Sequence, residues 1–127
     1  MKEEIRLRPF ALEAELTGYM PIPRQLLEMN LPSTAILIYG ALLDRGTLSR
    51  KNHYTDDQGQ VYVIFPVDRL AEVFRISNTA VKSHLRTLEA SGLIRRSREK
   101  RHQPSQIFLN LPTTSIQGTQ PEENCPN

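Results

Sequence analysis

The apolar positions of this chain change their period several times, and each change marks an element. Between Ser77 and Ile94 the sequence SNTAVKSHLRTLEASGLI places Val81, Leu85 and Leu88 on one stripe at helical spacing. Both ends of that predicted helix are marked. Ser77 is a good N-cap, because its hydroxyl can accept an otherwise unpaired backbone N–H of the first turn. Ile76 just before it and Val81 four positions into the helix are spaced as a hydrophobic staple. Gly92 suits the left-handed residue of a C-cap, with Leu93 placed to touch Leu88 as in a Schellman ending. The face opposite the stripe carries Thr79, Lys82, Ser83 and Arg86, and this helix has no acid before Glu89. A merely solvated face more often mixes Glu with Lys. This one suits an anionic, hydrogen-bonding surface.

Upstream, Ser33 to Asp44 reads as a helix capped by Ser33 and stopped near Gly46. Ile36, Leu37, Ile38, Leu42 and Leu43 cover most of its circumference, which predicts the most buried helix, with Tyr39 in the core. From Leu48 to Phe65 the period shortens. Asn52–Thr55 and Gln60–Phe65 are expected to be the arms of a β-hairpin around Asp56-Asp57-Gln58-Gly59, with Gly59 supplying the positive φ. Asp56 and Asp57 belong to that turn, since adjacent carboxylates at a solvated turn do not converge on one substrate. Val67 to Phe74 is a short helix with Val67, Leu70, Ala71 and Phe74 on one face and Pro66 acceptable at its start. The turn Arg75-Ile76 then leads straight into the helix capped by Ser77, the arrangement of a helix-turn-helix.

A second hairpin is expected from Leu93 to Arg98 and Gln106 to Asn110, with its tip at Glu99 to Ser105. It carries Arg95, Arg96, Arg98, Lys100 and Arg101 against one acid, Glu99. Helix-turn-helix followed by a basic hairpin is a winged helix. The expected fold class is therefore α+β, a winged helix-turn-helix with an additional β-hairpin between the first core helix and the helix-turn-helix. The domain spans residues 19–111, preceded by an arm (1–18) and followed by a polar tail (112–127) expected to be disordered. In the arm, Ile5 to Arg8 alternates like an edge strand and Ala11 to Leu16 fits a helical turn or two, so both readings stand. Pro21 and Pro23 impose an extended approach to a short helix over Arg24 to Met29.

Charge sharpens this picture. The net charge of +2 is unevenly spread: residues 1–65 hold seven Lys/Arg against eight Asp/Glu, whereas residues 66–112 hold nine against four. The positive half is the one with the helix-turn-helix and the basic hairpin. Other chemistry is missing from the sequence. The lone cysteine, Cys125, excludes an internal disulfide framework, and His53, His84 and His102 are scattered, with no HExxH or paired-Cys spacing. No phosphate-cradling GxGxxG or GxxxxGKS loop occurs. Neither enzymatic activity nor a metal or cofactor is expected. No run approaches the roughly 18 apolar residues of a membrane span, and MKEEIRLRPF lacks the apolar segment of a signal peptide, so a cytoplasmic protein is expected.

Double-stranded DNA is the ligand these shapes suit. Its major groove, about 12 Å wide, admits a helix, so Asn78, Thr79, Lys82, Ser83 and Arg86 can meet base edges or flanking phosphates. Arg86 has the geometry for a bidentate contact to guanine. The hairpin cations would ride on phosphates or reach the adjacent minor groove, adding affinity and register more than sequence choice.

The segments YMPIPRQLL, LIYGALLDRGTLSRKNHYTDDQGQVYVIF and LIRRSREKRHQPSQIFL, set around the helix-turn-helix, resemble in order the N-terminal domain of the replication initiator A family of plasmids and integrative elements. The block LLDRGTLSRKNHYTDDQGQVYVIF is the most specific part, and the resemblance covers about residues 19 to 111. It implies a dimeric winged helix that binds repeated origin sequences and starts replication. By position it implies DNA contacts within Ser77 to Arg86 and the hairpin cations, with backbone contacts from Ser49, Arg50, Lys51 and Asn52. This chain has Lys100-Arg101-His102-Gln103 before Pro104 where the family's wing turns on glycines. The family's further C-terminal domain, thought to engage host replication proteins, needs more than the 16 residues that follow Leu111. A winged-helix transcriptional regulator would use the same DNA-facing surface, and a protein-interaction module would turn its cations to an acidic partner.

Overall fold

A computed structural model describes residues 4–97 and 106–113. A 3-10 helix, Arg24–Glu28, precedes the long helix α1, Ser33–Lys51; strand β1, Tyr62–Val63, then leads to α2, Val67–Phe74, and α3, Asn78–Ala90, and the hairpin strands β2, Ile94–Ser97, and β3, Gln106–Leu109, follow. The strands form one antiparallel sheet in the order β1-β3-β2. Arg98, Lys100 and Arg101, the rest of the expected wing tip and the tail beyond residue 113 lie outside the described residues.

Helix α1 is the hub of the core. Ala35, Ile38, Tyr39 and Leu42 are fully buried along it and join Leu70 from α2, Val81, Leu85 and Leu88 from α3, and Val63, Ile94 and Ile107 from the sheet. Its bounds differ from the expected ones at both ends. Pro32, not Ser33, is the N-cap residue, and it makes no side-chain cap bond. The helix also runs through Gly46 to Lys51. Gly46 is buried, and a Cβ there would lie 3.2 Å from Leu109 Cδ1 and 3.6 Å from Val63 Cγ2. A bare backbone at that point lets α1 lie close against the sheet. Packing thus opposes the cost of about 1 kcal/mol that Gly carries in a helix relative to Ala. Arg50 and Lys51 occupy the last turn, where cations favour the negative end of the helix dipole.

That longer helix shortens the first arm of the expected central hairpin, since its capping turn takes Asn52 and His53. Asn52 N–H bonds Leu48 O at 3.0 Å as the C-cap, and His53 takes a positive φ of 63°. The turn itself forms: the Asp56 carboxylate accepts from the backbone N–H groups of Gln58 and Gln60 at 2.9 Å each, and Gly59 has φ +81°. Pairing across it comprises the Thr55–Val61 bridge, the Tyr62 N–H to Tyr54 O bond at 3.1 Å and the Asp56 N–H to Gln60 O bond at 2.9 Å. The returning arm shortens to β1 and joins the wing sheet, with Tyr62 opposite Phe108 and Val63 opposite Ile107.

The helix-turn-helix forms where its pattern placed it. Helix α2 spans the expected residues and ends at Arg75 in the left-handed conformation (φ 58°), with Ile76 N–H bonding Ala71 O at 3.1 Å. Helix α3 is capped by Ser77, whose Oγ accepts the Ala80 N–H at 3.0 Å. At its far end Gly92 has φ +87°, and Leu93 N–H donates to Leu88 O and Gly92 N–H to Glu89 O, both at 3.0 Å. Those two bonds are a Schellman closure. Asn110 then ties three elements together: its side-chain amide donates to Gly92 O at 2.7 Å, its N–H to Leu93 O at 2.9 Å, and its carbonyl accepts the Tyr39 hydroxyl at 2.7 Å.

The arm adopts neither candidate regular structure. Over residues 4–18 it makes a turn, with Ala14 N–H to Ala11 O at 3.0 Å, and leaves Ile5, Leu7, Phe10, Leu12 and Leu16 exposed.

Candidate nucleic-acid interface

The polar face of α3 follows from how its apolar stripe is used. Val81, Leu85 and Leu88 are buried against the core, so the remaining circumference is turned outward. Ser77, Asn78, Thr79, Lys82, Ser83 and Arg86 are all exposed on it. His84 is half-buried at the edge of the stripe. Asn78 and Thr79 occupy the first turn, where free backbone N–H groups and the positive end of the helix dipole favour an anion. Lys82 and Arg86 lie one turn apart and extend that polarity along the helix.

The two strand arginines of the wing face opposite ways, as successive strand residues must. Arg95 lies on the outer face of the sheet. Its guanidinium sits 4.2 Å above the Phe108 ring and donates to Gln60 Oε1 at 3.1 Å. Arg96 turns to the other face and pairs with Glu89 in the last turn of α3, Nη2 to Oε1 at 3.1 Å. Arg96 is therefore partly neutralised, while Arg95 has no acidic partner among the described residues and is fixed against an aromatic ring.

Arg50 and Lys51 are exposed at the C-terminal end of α1. Arg50 shares with Arg95 a groove of about 400 Å³ whose walls include Leu43, Gly46, Phe108 and Leu109. The structure thus groups the sequence-predicted residues into two sets: Ser77 to Arg86 on α3, and Arg50 with Arg95 at the junction of α1 and the sheet. Arg98, Lys100 and Arg101 lie outside the described residues.

Sequence reasoning missed the supports of these cations. Glu89 was noted as the first acid of its helix, and its partner follows only from the strand that returns past it. Gln60, Tyr62 and Phe108 became neighbours of Arg95 only when β1 joined the wing sheet. No local periodicity could show that. Among the described residues no helix is long and apolar enough to cross a membrane, and no group of His, Cys, Asp and Glu side chains is placed to hold a metal ion.

Three solved structures share this architecture. One, described as the N-terminal domain of a DNA-binding protein, superposes with a TM-score of 0.67 at 23% identity, over 87% of this chain and 88% of that one. A second, a Rep–DNA complex, gives 0.67 at 24% identity over 78% and 79%. A third, an MDR initiator, gives 0.64 at 24% over 77% and 80%. At these identities the likeness establishes the fold, a winged helix. No curated protein sequence matches the chain. The family profile of the replication initiator protein A (RepA) N-terminus matches residues 19–119, and the chain belongs to that family.

Proposed function

We propose that this domain binds double-stranded DNA sequence-specifically, recognising repeated origin sequences of a plasmid or mobile element on behalf of a replication initiator. The observation that carries this reading is the outward face of α3, where Asn78, Thr79, Lys82, Ser83 and Arg86 are exposed together and free of acids. Laid in the major groove, α3 would offer Arg86 and Thr79 to base edges and its first turn to a phosphate. Arg95, Arg50, Lys51 and the wing-tip cations Arg98, Lys100 and Arg101 would hold the backbone, and Arg96 would contribute less because Glu89 already engages it. One of the structural neighbours is itself described as a Rep–DNA complex, which supports the same choice of ligand.

The protein acts as a homodimer in the cytoplasm, with host replication proteins as later partners. The arm supports the dimer: five large apolar side chains stand exposed on residues 4–18, with none of the described residues covering them. The test is footprinting of the protein on its own gene and flanks, followed by titration of the protected duplex at several salt concentrations. If about five phosphates are neutralised, log affinity falls against log salt with a slope of roughly −4 to −5. Protection of iterated repeats supports an initiator, protection of one operator over a promoter supports a transcriptional regulator, and a flat salt response contradicts groove docking.

A further inference from the structure

A second surface, apart from α3, has the features of a ligand site. The end of α1 and the chain that follows it enclose a hollow of about 430 Å³. Leu48, Ser49 and Asn52 line it from the helix, Tyr54, Tyr62 and Ile64 from the extended chain, and Arg45 completes the wall. The rings of Tyr54 and Tyr62 stack with centroids 6.3 Å apart and planes 24° from parallel. Tyr62 in turn meets Phe108 edge-on at 6.2 Å, and Arg95 covers Phe108. This row crosses the outer face of the sheet. Tyr54 ends it with half of its surface, 53%, open to solvent.

Two details point to a polar, planar and anionic occupant. Ser49 is the buried polar side chain of the described residues, at 5% exposure, and its hydroxyl has no hydrogen-bond partner among them. A buried hydroxyl without a partner is costly, and this one borders the hollow. The charge is also one-sided: Arg45 lines the hollow, Arg50 and Lys51 adjoin it in the sequence, and no acid lines it.

We propose that this hollow binds single-stranded nucleic acid. A base stacks on Tyr54, Ser49 and Asn52 hydrogen-bond to its edge, and Arg45 in the same wall holds a flanking phosphate. A base paired within a duplex keeps its faces against its neighbours and cannot stack on a protein ring, whereas an unpaired base can. The site is therefore selective for an open strand. It works separately from the α3 face and stands whether or not that face reads duplex DNA.

The test is fluorescence anisotropy with a labelled oligothymidylate of about 12 nucleotides and, in parallel, a labelled duplex. The full chain is compared with Tyr54→Ala, Tyr54→Phe and Arg86→Ala, each first shown by circular dichroism to melt as the parent does. The parent binds the single strand. Tyr54→Ala weakens that binding roughly 5- to 100-fold, the range expected for losing one base–aromatic stack, and leaves duplex affinity within about twofold. Tyr54→Phe keeps the ring and keeps the binding, and Arg86→Ala leaves single-strand affinity as it was. The proposal is overturned by a parent that ignores the single strand, by Tyr54→Ala binding it unchanged, by loss of binding in Tyr54→Phe, or by Tyr54→Ala weakening both DNAs alike. It is overturned equally if Tyr54→Ala lowers the sedimenting mass with single-strand affinity intact, since the face would then be a contact between copies.

Discussion

Arg96 and Glu89 are joined through both carboxylate oxygens: Nε and Nη2 of the arginine lie 3.1 Å from Oε1, and the Arg96 backbone N–H donates to Oε2 at 3.5 Å. The pair fastens the first strand of the wing to the last turn of α3, so the angle between helix and wing is held by a contact as well as by the chain reversal at Gly92. It also removes one positive charge from the wing's outward field.

Replacing Glu89 with Gln should therefore release that charge. Duplex affinity is expected to rise for specific and random DNA alike, with the salt slope steeper by up to about one unit. Because both side chains are partly exposed, the stability lost should be less than about 1 kcal/mol. Salt-dependent anisotropy beside a thermal melt checks both. Weaker binding in the variant would mean that positioning of the wing matters more than the freed cation.

Tyr39 links α1 to Asn110 through a buried hydroxyl, and Tyr39→Phe leaves the Asn110 carbonyl without that donor. The expected cost is about 1–3 kcal/mol in urea unfolding. Burial also raises the Tyr39 pKa from its ordinary 10.0 to about 12. The folded chain then keeps this proton where the unfolded chain has released it. Its contribution is complete below about pH 10 and is lost as pH rises through about 12. The stability gap between parent and Tyr39→Phe should accordingly hold steady up to about pH 10 and narrow as the pH rises from there toward about 12, and a constant gap across that range would contradict the assignment.

The arm is expected to make the dimer. Removing residues 1–18 takes away Ile5, Leu7, Phe10, Leu12 and Leu16, none of which the described core covers. Sedimentation of the truncated chain should give a smaller mass than the parent, with the melting temperature little changed. Equal masses would place the dimer contact elsewhere.

The helix-turn-helix was legible because its signals are local. Ser77, Gly92 and the Val81–Leu85–Leu88 stripe each act within a turn or two of the backbone, and the caps formed as their chemistry requires. Gly46 shows the opposite case. A glycine just after an apolar run reads as a helix stop, yet here its lack of a side chain serves a contact with Leu109, 63 residues away in the chain. The central hairpin is shorter than its pattern suggested for a related reason: the capping turn of α1 takes Asn52 and His53, so the first arm keeps only Tyr54 and Thr55, and β1 pairs with β3 as well. The polar face of α3 could be read from spacing alone. The unlike surroundings of Arg95 and Arg96 depended on tertiary neighbours that no window of sequence contains.

Helix α3 is proposed as the reader of sequence, with its inward face committed to the core and Arg86 outward. The direct measurement is the affinity of Arg86→Ala for the footprinted site and for random duplex, each at two salt concentrations, beside Lys100→Ala from the wing. Arg86→Ala should lose roughly 1–3 kcal/mol on the site and little on random DNA, since what is lost is discrimination. Lys100→Ala should weaken both by similar factors and reduce the salt slope by about one unit. If Arg86→Ala instead weakens both duplexes equally while Lys100→Ala alone shifts site preference, α3 is the clamp, the wing is the reader, and the central claim is wrong.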